Sequence, residues 1–278
     1  MSVTAGHEAL NICSDTCYMK NYISEHINNL GRIWRMTLIS IHQEFRGEKF
    51  GVLWEILRIG IFFAVYGLFY NLIKGGSGIP FGFYAVRLPF QFISSVISQT
   101  PKAYKDQNVL VTTIKFPLSI IPTFDILSQF IIHFLAIGMI VILFIVSGHF
   151  TLHFLMIIYY YFALVCLLLA LMSILSVICS LSKDVLKAWK VVTRIFLYIN
   201  PIFWTLNDIK NPILLSIVRA NPFVYVLEGF RNAMVLHDHS AKFLTPGYMA
   251  YFWISVFVLF IIGASVQKKG AKFLPDML

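Results

Sequence analysis

Charge is scarce in this chain, and its scarcity excludes more than any motif does. Asp, Glu, Lys and Arg make up 13% of the 278 residues, against 58% hydrophobic and 16% aromatic, a balance far from that of a soluble domain. There is no GxxxxGK[ST] phosphate loop, and the one Gly-rich run, Gly75 to Gly78, lacks the lysine, so the chain is not expected to hydrolyse ATP itself. Cysteine is sparse as well. Cys13 and Cys17 with His7 fall short of the roughly four ligands of a zinc site, and Cys166 and Cys179 sit in an apolar run, so no disulfide framework is expected. Residues 1–21 are polar and lack the apolar core and small-residue cleavage site of a signal peptide, which makes them an expected cytoplasmic leader.

What is there is apolar sequence in long runs. A helix crosses hydrocarbon with about 20 apolar residues, and six stretches approach that length: Leu53 to Ile73, Pro80 to Thr100, Leu118 to Ser147, Thr151 to Ser182, Val191 to Thr205 and Tyr248 to Val266. In lipid every backbone donor and acceptor is satisfied within its own segment, so the expected fold is an all-α integral membrane protein with six transmembrane helices. Lys and Arg set its orientation. With the amino terminus inside, the cytoplasmic segments collect sixteen of the 22 basic residues: those from Lys20 to Arg58, Lys102 to Lys115, Lys183 to Arg194 and Lys268 to Lys272. Both termini are then cytoplasmic. The net charge of +9 reflects that orientation and anionic headgroups rather than nucleic acid, because no basic soluble domain remains to hold a duplex.

Residues 22–50 have a different pattern. Ile23, Ile27, Leu30, Trp34, Leu38, Ile41 and Phe45 recur every three or four residues, with Arg32, Arg35 and other polar residues between them. The expectation is an amphipathic interface helix, its apolar stripe sunk to the headgroup boundary and its arginines on lipid phosphates. Gly47 and Gly51 supply the turn into the first span, where Glu55 and Arg58 are spaced to share a helix face. Residues 51–268 then form the transmembrane domain and 269–278 a cytoplasmic tail.

Between the second and third runs lies a connector, Pro101 to Pro122, with Lys102, Lys105, Asp106 and Lys115. A plain loop needs only a few turn residues. Here Asn108 to Ile114 can form about two helical turns, presenting Val109, Val111 and Ile114 as an apolar edge that wants a partner; the bland alternative is an ordinary basic loop that holds its end of the protein inside.

Charges within spans face a cavity or a partner. Arg87, near the outer end of the second run, either meets an anionic group or snorkels to outer headgroups. Asp125, near the inner end of the third, is expected to pair with Arg58 or Lys115, and His133 to be a hydrogen-bonded packing residue. The segment Leu206 to Pro246 holds two short apolar stretches, expected as re-entrant outer helices, in which Glu228 and Arg231 form a structural pair or line an exit. His149, His153, His237 and His239 with Asp238 show no spacing that demands a metal.

The order of these landmarks carries a resemblance. FRG-x3-G-x-LW (Phe45 to Trp54), KFPLSIIP (Lys115 to Pro122), SKD (Ser182 to Asp184), NPIFW (Asn200 to Trp204) and NPFVYVLEGFR (Asn221 to Arg231) together resemble the type-2 ABC exporter permeases over nearly the whole chain. The KFPLSIIPT run is similar to the wall teichoic acid translocation permeases of Gram-positive bacteria; permeases for O-antigen and capsular polysaccharide share most landmarks. Relatives often carry Arg-Asp where Lys183 and Asp184 stand here, and Ser-Pro where Asn200 and Pro201 stand. The resemblance implies a multi-pass subunit of the bacterial cell membrane that exports a lipid-linked anionic polymer on an undecaprenyl-pyrophosphate carrier. It implies two copies of this chain with two copies of a separate nucleotide-binding ATPase, which would use the ATP and Mg while this chain binds no cofactor. The connector then becomes the ATPase coupling element, with Asp106, Asn108, Val109, Val111, Ile114 and Lys115 at the contact. Arg46, Lys49, Arg58, Tyr66, Arg87 and Asp125 are the expected substrate path. A membrane-embedded enzyme acting on lipid-linked glycans is the contrasting reading, and it would need a convergent acid, base or metal cluster.

Overall fold

The computed structural model describes residues 24–51, 53–74, 81–107, 117–148, 152–235 and 244–277, and among them every regular element is helical. The connector residues Asn108, Val109, Val111, Ile114 and Lys115 lie outside the described residues, as do the leader 1–21, Gly75 to Gly78, His149, His237, Asp238 and His239. Four helices are long and apolar enough to cross a membrane, spanning Leu53–Ile73, Leu118–Val146, Leu152–Leu181 and Pro246–Gly270, and a bent pair makes up to five.

The first helix, α1 (Leu30–Glu44), follows a helical turn at 24–28 and packs along α4 (Ile121–Val146). It buries Ile33 and Thr37, one turn apart, and the Thr37 hydroxyl bonds back to the Ile33 carbonyl at 2.9 Å. Its start is tied to the start of α4 through His26 Nε2 and Thr123 Oγ1 at 2.9 Å and through Ser119 Oγ donating to Glu25 at 2.5 Å. The stripe read from sequence points the other way: Ile27, Leu30, Trp34 and Leu38 are 48–61% exposed. Gly47 and Gly51, with φ of 89° and 49°, then turn the chain into α2 (Leu53–Lys74), using backbone space that a Cβ would deny.

Helix α3 (Phe81–Gln99) is of membrane length, about 28 Å, but less uniformly apolar because it carries Arg87, Gln91, Ser95 and Gln99. After a 3-10 turn at Thr100–Lys102 and one α-turn at Ala103–Asp106, the described chain resumes at Pro117 and enters α4, where Pro122 stands in the first turn and its missing N–H costs nothing. Tyr104 is fully buried, and its hydroxyl donates to Leu118 O at 3.1 Å, so the two ends of the connector are clasped together.

Helix α5 (Met156–Leu181) is the centre of the bundle, and its most extensive partner is α9 (Pro246–Met277). Small residues let the two approach: a Cβ on Gly263 would lie 2.9 Å from Ser173 Cβ, and one on Gly270 2.6 Å from Val177. Helix α9 continues past 268, so the residues expected as a tail extend the same helix to Met277.

The expected fifth span, Val191 to Thr205, does not match the helix found there, which starts eight residues earlier, at Lys183, and is not one of the four long and apolar enough to cross. Ser182 caps α6 (Lys183–Ile199) by accepting from Asp184 N at 3.1 Å, and the helix stops at Asn200, held extended because Pro201 follows. Apolarity alone missed this start because the first turns carry Lys183, Lys187 and Lys190. Two Asn-Pro pairs then open the next helices. Asn211 Oδ1 accepts from Ile213 N at 2.9 Å to start α7 (Pro212–Arg219), and Asn221 Oδ1 accepts from Phe223 N at 3.1 Å to start α8 (Pro222–Met234). These two are bent by 94° at the break between them, so together they form either a broken span or a re-entrant loop. Helix α8 is buried along nearly all of its length against α3 and α5.

Candidate functional site

Four residues on α3, Arg87, Gln91, Ser95 and Gln99, recur every fourth position and therefore line one face over about 18 Å. That face looks into a cleft closed by α2 on one side and α4 on the other. At the α1 end the cleft widens into a cavity of about 260 Å³ lined by Glu44, Glu48, Glu55, Arg58, Gln91, Ser95, Gln99, Gln129 and His133, with Ile59, Ile132 and Ala136 as apolar wall. Further along α3 a second cavity, about 230 Å³, is lined by Arg58, Ile59, Phe62, Phe63, Arg87, Leu88 and Gln91. Arg58, Ile59 and Gln91 line both, so the two join into one groove.

The polar end is organised by Gln129, which is 5% exposed. Its carbonyl accepts from Ser95 Oγ at 2.6 Å, and its amide nitrogen donates to Gln99 Oε1 at 3.0 Å and to Glu44 Oε2 at 3.2 Å. Gln99 closes the ring by donating to Ser95 Oγ at 3.3 Å. Burial, with the nearby carboxylates of Glu55 and Asp125, raises the Glu44 pKa above its ordinary value, and the bonds from Gln129 and Gln99 pull the other way. His133 behaves as expected for packing, with Nε2 at 2.9 Å from the Tyr161 hydroxyl and its ring stacked on Phe92, while its edge also forms cavity wall.

Of the residues expected on a path, the structure brings Arg58 and Arg87 to one groove. Arg58 pairs with Glu55 at 2.8 Å, on the face the spacing predicted. The Arg87 guanidinium lies over the Phe62 ring, 4.6 Å from its centroid, and among the described residues its Nη1 has no hydrogen-bond partner. Tyr66 stacks on Phe83 at 3.6 Å in an aromatic wall with Phe63 and Tyr84. Asp125 does not pair with Arg58; it accepts from Thr100 Oγ1 at 2.5 Å, because the α3–α4 packing puts that hydroxyl against it while Glu55 occupies Arg58. Arg46 and Lys49 are exposed and do not line the cavity, whose charges are mainly carboxylate. Asp106 is exposed at the end of its turn and pairs with Lys102 at 3.3 Å. Sequence reasoning missed Glu44, Gln91, Ser95, Gln99 and Gln129; the four-residue spacing on α3 was the available signal.

At the other end of the bundle Glu228 and Arg231 form a pair at 2.5 Å, 0% and 3% exposed. Arg231 Nη2 also donates to Pro201 O at 2.6 Å and to Trp204 O at 3.4 Å, holding the turn after α6. The pair is thus structural, and lines neither cavity. His153 is exposed, and among the described residues no group of three metal-ligating side chains converges.

The family model described as ABC-2 type transporter matches residues 32–235. This span takes in α1 from Arg32 onward, both cavities and the α8 pair, and the chain belongs to that family. It is a multi-pass membrane protein of a transporter, a class of subunit served by a separate ATPase. The chain is also 23% identical over 254 residues to the O-antigen export system permease protein RfbA of Myxococcus xanthus, covering 86% of this chain and 95% of that protein.

Proposed function

We propose that this chain is the membrane permease of an ATP-driven exporter that carries a lipid-linked polymer across the bacterial cell membrane. Two copies work with two copies of a nucleotide-binding ATPase, and each has six spans, both termini inside, α1 on the inner surface and α7–α8 in the outer leaflet. The observation that carries this reading is the continuous α2–α3 groove. Its carboxamides and hydroxyls can exchange hydrogen bonds with polyol or sugar hydroxyls without holding them by charge, its aromatic wall suits sugar faces, and Arg87 waits deeper with a free donor for a phosphate. An enzyme acting on lipid-linked glycans would need a convergent acid, base or metal set; the cavity carries the carboxylates of Glu44, Glu48 and Glu55, but among the described residues no three metal-ligating side chains converge.

The KFPLSIIPT run favours wall teichoic acid as the cargo. The relative named for O-antigen export favours a polysaccharide as the second reading. The connector, from Asp106 through Asn108, Val109, Val111 and Ile114 to Lys115, would dock on the ATPase. Depleting the chain in cells should strip the polymer from the surface and accumulate its lipid-linked form inside; unchanged surface polymer would refute export. Arg87→Gln should slow export at normal membrane level, and Arg87→Lys should keep part of it through charge without the planar fork.

A further inference from the structure

Helix α6 carries a set of cations for which the groove has no use. Lys183, Lys187, Lys190 and Arg194 are spaced by four, three and four residues and so occupy a single helix face, continued one turn on by Tyr198. All five are exposed, and α6 contains no buried residue. The opposite face holds the helix to the bundle: Trp189 Nε1 donates to Ile97 O at 2.6 Å, and the Phe196 ring stacks on Phe90 at 6.1 Å. Phe203, just beyond the helix, meets Phe83 at 5.6 Å.

These three contacts run antiparallel along α3, each step forward on α6 matching a step back on α3. They set the depth of every cation. Arg194 falls level with about Phe92, some 10 Å along the bundle from Gln99 at the end of α3, and Lys190 some 5 Å along it. Lys187 is at the mouth, 3.4 Å from Asp184. Among the described residues neither Lys190 nor Arg194 has a carboxylate within ion-pairing distance. An exposed charge at that depth is costly against lipid. Lys187 and Lys190 can extend to inner headgroups, but Arg194 would have to snorkel past Lys190, whose like charge opposes it. The face therefore fits a water-filled passage better than acyl chains.

We propose that Lys187, Lys190 and Arg194 form a binding ladder for the pyrophosphate that joins the exported polymer to its lipid carrier. The inference rests on the export reading. A pyrophosphate diester brings two adjacent negative charges, and cations one turn apart, about 5–6 Å between Cβ atoms, can bracket both. Tyr198, one turn beyond, offers a ring to the first sugar. A bilayer phosphate sits at the interface, where Lys183 and Lys187 meet it, and does not call for cations as deep as Arg194. Binding thus commits to the substrate's linkage, with bulk anionic lipid as the competing outcome.

The full chain in phosphatidylcholine nanodiscs, titrated with undecaprenyl pyrophosphate, tests the ladder. The Lys190→Gln/Arg194→Gln double variant should raise its Kd about tenfold or more, leave undecaprenol binding unchanged, and keep normal thermal stability because both side chains are exposed. Arg194→Lys should stay within about threefold of the unmodified chain. Undiminished binding by the double variant overturns the proposal, and so does equal competition by phosphatidylglycerol, which would make the face a site for ordinary lipid. Export in cells separates this inference from the reading beneath it. If depletion abolishes surface polymer while the double variant exports normally, the ladder alone fails; if depletion changes nothing, export itself fails.

Discussion

The two ends of the bundle treat charge in opposite ways. Around α8 an acid and a base are taken fully out of solvent, bonded to each other and to backbone carbonyls, among closely packed aromatic rings such as Tyr160, Tyr161 and Phe230. Around α1 the charges rim an open cavity, and uncharged amides form the links between helices. A buried pair tolerates one geometry and punishes loss of either member. A ring of amides can trade one partner for water at small cost. The first end is built as an anchor, and the second is built to be wetted and to change its contacts.

The largest effect should come from breaking the anchor. Arg231→Ala strands the Glu228 carboxylate in a dry interior and should cost about 3–5 kcal/mol, read as collapse of membrane protein level and of the melting temperature in detergent. A mild effect would show water reaching α8 and blur the contrast between the ends. Next comes Gly229→Ala, whose new methyl would overlap the Tyr160 ring; a loss of about 1–3 kcal/mol is expected, with partial recovery when Tyr160→Leu is added. At the other end Gln129→Ala removes the hub of the amide ring, yet should lower stability by only about 1 kcal/mol while slowing export more than its stability loss explains. Equal sensitivity of Gln129 and Arg231 to truncation would erase the distinction between anchor and wetted end.

The smallest effect is a pH dependence at Glu44. Because its folded-state pKa lies above the ordinary 4.5, the folded protein holds the proton more tightly than the unfolded chain, so attachment of α1 weakens as pH rises through the interval just above that value. Hydrogen exchange in α1 should speed up across that interval, and Glu44→Gln should flatten the response. Exchange that slows with rising pH, after correction for intrinsic rates, would reverse the assignment.

The spans were legible wherever apolar residues run unbroken, as in α2, α4, α5 and α9, because lipid leaves the backbone no alternative to helix. The turn at Gly47 and Gly51, the Glu55–Arg58 pair and the Glu228–Arg231 pair were legible too, since each depends on local spacing. The start of α6 was not, because its basic first turns read as loop. The groove was hidden for a different reason. Gln91, Ser95 and Gln99 are uncharged and diluted among apolar neighbours, and the bond from Gln129 to Glu44 joins residues 85 positions apart, which no local pattern announces.

The clasp between Tyr104 and Leu118 has a mechanical side. The turn that bears Tyr104 continues directly from α3, its hydroxyl holds the entry to α4, and the neighbouring Lys105 ammonium donates to Cys179 O at 3.1 Å, one of the last carbonyls of α5, which the helix itself leaves unpaired. A load applied to the chain between Gln107 and Pro117 cannot pull on one strand of that connector alone. It is delivered to three helices at a common point, as a lever delivers torque to a shaft, so the bundle would respond by tilting as a body before any single helix slides.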